Sequence, residues 1–154
     1  MGRYRWGTVA CDSPSVSLQE IVEELLRETG ASRTTVRLDS ADTFFPVVAE
    51  ALAPGVGSIA GDTSIDLQAS QTFQFLARER RLLIQADLLD ADPAPPPELI
   101  ERYGARAQMV APIVRAERLV GILSVHHAPG PREWTAGEIA ALERASEQVQ
   151  NALD

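Results

Sequence analysis

The chain contains no lysine: all 14 of its basic residues are arginine. That absence removes the phosphate-loop lysine, the Schiff-base lysine of pyridoxal phosphate enzymes and aldolases, and the nucleotide-contacting lysine of kinases. Cysteine is almost as scarce. Cys11 stands alone, so neither an intrachain disulfide nor a cysteine zinc cluster can form, and a reducing, cytoplasmic setting is expected. No apolar run approaches the roughly 18 residues of a membrane-spanning helix, and the N-terminal stretch lacks the apolar core of a signal peptide. Positive charge is also in deficit, with 22 acidic residues giving a net charge of −8. Such a chain repels phosphate backbones and anionic lipid, so neither nucleic acid nor a membrane surface is an expected partner.

What is present suits one domain with a sizeable core: 154 residues, 45% of them hydrophobic. Residues 1–15 carry no periodicity and read as a lead-in to a single domain over 16–154. Ser17 and Glu20 have capping-box spacing, and Leu18, Ile21, Val22, Leu25 and Leu26 recur on one helical face until Gly30. From Ala31 the pattern alternates, with Thr34, Val36 and Leu38 on one side and Arg33, Thr35 and Arg37 on the other, as in a strand. A polar turn at Ser40 to Thr43 leads to a second strand over Pro46 to Leu52. Gly55 to Ser70 is irregular and forms a candidate cavity rim. Gln71 to Arg80 reads as a short helix turning Phe73 and Leu76 inward, Leu82 to Asp87 as a third strand, and Pro97 to Tyr103 as a helix of one or two turns after a proline cluster.

Arg106 to Arg115 and Arg118 to His127 form a hairpin joined at Ala116-Glu117. Leu119, Leu123 and Val125 on one face of its second strand, with Val120 and Ile122 on the other, place that strand mid-sheet with layers above and below. Thr135 and Glu138 repeat the capping-box spacing, and Ile139, Leu142, Ser146, Val149 and Leu153 step along the last helix like a coiled-coil seam. The expected architecture is α+β, with a central antiparallel sheet of five to six strands.

Chemical motifs are few. His126 and His127 are adjacent on a strand, so they face opposite ways and cannot share one metal ion. Asp87, Asp90, Asp92, Glu98 and Glu101 lack calcium-loop spacing and read as solvated, and Arg78, Arg80 and Arg81 as a solvated helix end. No Gly-x-Ser-x-Gly elbow exists. No catalytic residue, metal or cofactor is expected, and the chain does not read as an enzyme.

The order of elements, with MVAPIVRAERLVGILSVHH at Met109 to His127 and REWTAGEIAALERASEQVQNAL at Arg132 to Leu153, resembles the GAF domain. That resemblance implies terminal helices on one face of the sheet, often pairing with a second copy. It also implies a small-molecule pocket on the other face, under loops and short helices. Tyr103 to His127 is similar to the hairpin of phytochrome-type GAF domains, which implies that His126 faces the pocket with Ser124, Gln108 and Val110 beside it and Arg106 at its edge. Phe75 is a further candidate for the pocket wall. A homodimer would use Leu18, Ile21, Leu25, Ile139, Leu142 and Val149.

Two features of the phytochrome relatives are missing. Pro95-Pro96-Pro97 stands where their bilin-attaching Cys-His would be, and Asp66-Leu67-Gln68-Ala69-Ser70 replaces their Asp-Ile-Pro. The single cysteine also excludes the multi-cysteine cycle of the free methionine sulfoxide reductase that some GAF proteins resemble, and the lysine-bearing signature of cyclic-nucleotide GAF domains is absent. The expected function is a sensory or regulatory domain that binds an unknown small organic molecule and signals through a homodimer or a protein partner. The alternatives are a dimerisation scaffold without ligand, a small-molecule enzyme and a tetrapyrrole photosensor.

Overall fold

The computed structural model describes residues 16–62 and 64–154; the expected lead-in and Cys11 lie outside them. Helix α1 (Leu18–Thr29) starts where the capping box puts it, with Ser17 Oγ accepting from the Glu20 N–H at 3.1 Å and Glu20 Oε1 accepting from the Ser17 N–H at 2.9 Å. Gly30 ends it at φ 62°, a left-handed conformation that costs glycine little. Five strands follow in the chain: β1 (Arg33–Leu38), β2 (Val47–Leu52), β3 (Leu83–Gln85), β4 (Ala107–Arg115) and β5 (Arg118–His127). They form one antiparallel sheet in the order β2-β1-β5-β4-β3, so β5 occupies the centre that its two apolar faces require. Ala116 and Glu117 close the β4–β5 hairpin with φ of 53° and 63°, the paired positive angles of a tight primed turn, reached without glycine. The helix α4 (Ala136–Ala152) opens on the second capping box, Thr135 with Glu138.

Both long helices lie on one face, where they cover Val36, Met109, Ala111, Ile113, Leu123 and Val125. The other face carries α2 (Gln71–Glu79), α3 (Pro97–Glu101), a single 3-10 turn at Leu88–Asp90 and the irregular segment before α2. Among the described residues no helix is long and apolar enough to cross a membrane.

This layering corrects the expected dimer seam. Ile21 and Leu25 are each 1% exposed and Leu142 and Val149 are 0% exposed, because the stripe that repeats every three to four residues is spent on sealing α1 and α4 against each other and the sheet. Leu18 and Ile139 are half-buried against the same core. The outward faces are polar instead, with Glu20, Glu24 and Arg27 on α1 and Glu143, Arg144 and Glu147 on α4. Arg144 ties the two helices together across 2.9 Å to Glu28. Gln19 reaches from α1 to the free edge of β2, where its Nε2 donates to Glu50 O at 2.8 Å and its Oε1 accepts from the Glu50 N–H at 3.4 Å. Those are the groups that an added strand would use.

One position on β5 is closed to any side chain. A Cβ on Gly121 would lie 2.7 Å from Leu38 Cδ2 and 2.8 Å from the backbone Arg37 O. Gly121→Ala should therefore cost about 1–3 kcal/mol through overpacking against a backbone that cannot yield. Urea unfolding measures this, and an unchanged midpoint would contradict so close an approach of β1.

Candidate ligand-binding site

Register alone assembles the site's floor. Arg33 on β1 stands opposite His126 on β5, His126 opposite Gln108 on β4, and Gln108 opposite Gln85 on β3. Directly opposed residues send their side chains to the same face, so four polar groups cross the sheet in a row, away from α1 and α4. All are buried: Arg33 at 2%, His126 at 5%, Gln108 at 1% and Gln85 at 7% exposure. A second row runs Thr35, Ser124, Val110 and Leu83. Arg37 and Ile122 follow it on the same face.

Hydrogen bonds settle one half of the first row. Gln108 Nε2 donates to Gln85 Oε1 at 2.8 Å, and Gln85 Nε2 donates to Pro93 O at 2.8 Å. Thr72 Oγ1, from the first turn of α2, donates to Ala94 O at 3.1 Å and fixes the proline-rich segment over the sheet. The other half is unsettled, since His126 Nδ1 and Arg33 Nε are buried with no hydrogen-bond partner. Unpaired buried donors are rare in folded chains and cost about 1–3 kcal/mol each.

Above this floor lies an interior cavity of about 40 Å³, walled by Gln108, Val110, Ser124, His126, Thr72 and Leu76 among others. It has room for little more than one water molecule at ~30 Å³ of liquid volume. Arg37, Ile59, Ile65 and Leu67 line it and also line a wider surface cleft of about 480 Å³. The cleft falls within the roughly 300–1,000 Å³ of small-molecule sites. The two spaces thus share one wall, and a charged side chain stands in it.

The charges at the cleft are mixed, with Arg37 in the shared wall and Asp62 and Asp66 elsewhere in the lining. Burial draws both Arg33 and Arg37 below the usual arginine range, with nearby carboxylates opposing the shift. Arg37 Nη1 donates to Phe45 O at 2.9 Å, and no carboxylate among the described residues lies within ion-pair distance of it. Burial, then Arg33 and Arg37, pushes His126 down to about 3, so its ring is neutral at physiological pH and acts as one donor and one acceptor. Asp62 at the cleft is held low first by the Ser64 N–H, which it accepts at 2.7 Å.

Gln108, Val110, Ser124 and His126 line one cavity. Two expected residues stand elsewhere. Arg106 turns toward Asp87, 3.5 Å away, at the end of the sheet where its backbone N–H donates to His127 O. Phe75 lies one helical step off the inward face of α2, its ring 5.0 Å from the Arg81 guanidinium; Phe73 joins Phe44 and Phe45 instead. The sequence reading missed Arg37, Thr72, Leu99 and Ile59 as wall residues. Arg33 and Arg37 did carry a signal, since they alternate with Thr34 and Val36, and the helices cover the latter pair.

The family model of the GAF domain matches residues 13–153. The GAF domain of the cyanobacteriochrome TePixJ has the same fold, with a TM-score of 0.73 at 21% identity, covering 93% of this chain and 96% of that one. The chromophore-binding domain of the bacteriophytochrome RpBphP3 from R. palustris gives 0.71 at 21% identity over 90% of this chain and 56% of that one. In sequence, a putative methyl-accepting chemotaxis protein of Synechocystis sp. is 28% identical over 109 residues, which is 70% of this chain and 11% of that protein. The chain therefore spans about a ninth of that relative's length. At these identities the solved structures establish the fold, and the match from residue 13 to residue 153 establishes the lineage: the chain belongs to the GAF domain family, a family of sensory and regulatory modules.

Proposed function

We propose that this GAF domain binds a small organic anion in the cleft beneath residues 58–69, with Arg37 as the charged contact and Gln108, Ser124 and His126 reading its polar head from the interior cavity. One observation carries the reading: a half-buried arginine that forms no ion pair among the described residues stands in the wall common to the two spaces. Binding would order the segment around Ile59, Ile65 and Leu67, which packs toward α2 and α3. The change would reach a second copy or another protein through the polar outer faces of α1 and α4, which requires the ligand to favour one of two packings of the domain. The names of relatives are in keeping with a sensory role that involves a bound small molecule: one is a putative methyl-accepting chemotaxis protein and another the chromophore-binding domain of a bacteriophytochrome.

The small interior volume favours a second reading, a scaffold that binds nothing there. A thermal-shift screen of anionic metabolites separates them. A ligand at a hundred times its dissociation constant adds about 2.7 kcal/mol, roughly 5–10 °C for a chain of this size. Arg37→Gln and Gln108→Ala should each abolish or halve the shift of any hit. A library that leaves the melting temperature unmoved favours the scaffold.

A further inference from the structure

The polar row is closed at its Gln85 end and open at its Arg33 end, and a distinct cavity lies beside the open end. It measures about 210 Å³ and is lined by Arg33, Gly57, Tyr103, His126, His127 and Ala128 among others. It shares only His126 with the interior cavity and no residue with the surface cleft. Arg33 and His126 are register partners, so their side chains leave the sheet side by side. Each presents a buried nitrogen without a partner, His126 Nδ1 and Arg33 Nε.

Arg33 is ion-paired, but its Nε–H is not hydrogen-bonded. Glu50 Oε2 lies 4.0 Å from its Nε, beyond hydrogen-bond reach. The same carboxylate is already engaged by Ser58 Oγ and by the Ile59 N–H. Arg33 Nη2 is fixed by Gly57 O at 2.6 Å, and the Tyr103 ring lies 5.1 Å from the guanidinium carbon. The guanidinium is therefore held by Gly57 O, the Tyr103 ring and a loose ion pair with Glu50, while its Nε–H makes no hydrogen bond. Val56, Ala105 and Ala128 supply apolar walls. A cavity of this size has room for an acid of a few carbons.

We propose that this cavity is a second binding site, for a short-chain monocarboxylate whose oxygens take the N–H groups of Arg33 and of His126 Nδ1 while its alkyl tail lies against Val56, Ala105 and Ala128. With its one N–H on Nδ1, the neutral ring leaves Nε2 as an acceptor toward the interior cavity, so the tautomer that one ligand selects bears on the other site.

Butyrate and its neutral isostere butyramide, titrated into the full chain and followed by amide chemical shifts, test this directly. Butyrate should saturate and move Gly55, Gly57, Ala105 and Ala128, with butyramide at least about tenfold weaker because it lacks the charge-assisted contact. Arg33→Gln should weaken butyrate by a similar factor. Since that change also disturbs Glu50, Gly57→Trp provides the independent check: a Cβ on Gly57 meets nothing within 4 Å, so the ring can block the cavity without strain in the sheet. Gly57→Trp should abolish butyrate binding and leave hits in the main cleft unchanged, whereas Arg37→Gln should do the reverse. Lack of saturation up to about 20 mM, an affinity too weak to be specific, would overturn the proposal, as would equal binding of the amide or shifts centred on Gln108 and Ser124.

Discussion

Leu142→Glu should leave the chain unfolded, not merely monomeric. Leu142 is fully buried on α4, in the cluster that joins Ile21 and Leu25 of α1 to Val36, Met109, Leu123 and Val125 of the sheet. Losing a leucine from such a site costs about 2–5 kcal/mol. A carboxylate among those apolar groups has no partner and adds several kcal/mol more or must take up a proton. The sum rivals the whole stability of a domain, about 5–15 kcal/mol. Val149→Glu should behave alike. Exposed neighbours on the same helix, such as Glu143→Ala, should change stability by no more than about 0.5 kcal/mol. Circular dichroism at 25 °C reads the outcome. A Leu142→Glu protein with native helical signal and a melting point within a few degrees of the parent would show that this face of α4 is not the core. Any test of self-association therefore belongs on Glu24, Arg27, Glu143 and Glu147, which the fold leaves exposed.

Stability should fall as the pH drops from about 7 to 5, and His126→Gln should remove most of that slope. The folded chain holds His126 at about 3 against an ordinary 6.5, because burial and the facing Arg33 and Arg37 oppose a further positive charge. Between those two values the unfolded chain takes up a proton that the folded chain refuses, so the contribution is complete above 6.5 and is lost progressively on acidification. From pH 7 to 5 this amounts to about 2 kcal/mol at 1.36 kcal/mol per unit. His127 adds a smaller effect of the same sign, since partial burial and Arg132 lower it as well. The carboxylates held low, such as Glu20 and Asp62, act mainly below this window. Urea unfolding at the two pH values compares parent and variant. Parallel profiles would mean that His126 titrates like a solvated imidazole and that the cavity is wet.

Local signals account for what was legible in the sequence. Ser17 with Glu20, Thr135 with Glu138, Gly30 and the Ala116-Glu117 turn act over a few residues, and each element they bound formed where expected. The two apolar faces of β5 sufficed to centre it. What failed depends on distant chain. Alternation splits β1 into two faces but cannot say that residues 53–70 will cover the arginine face, so Arg33 and Arg37 were not recognised as pocket groups. The spacing of Ile139, Leu142 and Val149 is the same whether the covering partner is another copy or this chain's own sheet, and here it is the sheet. Phe73 and Phe75 lie about 200° apart on α2, so only one of them can share the inward face set by Leu76, and that one is Phe73.

Native mass spectrometry of the protein purified from cells, beside its Arg37→Gln variant, tests the ligand-binding reading most directly. The expected result is the polypeptide mass plus a small anionic molecule that denaturation releases and Arg37→Gln fails to retain. Bare polypeptide from both proteins, or an adduct that survives unchanged in the variant, would contradict a ligand held by Arg37 in the cleft.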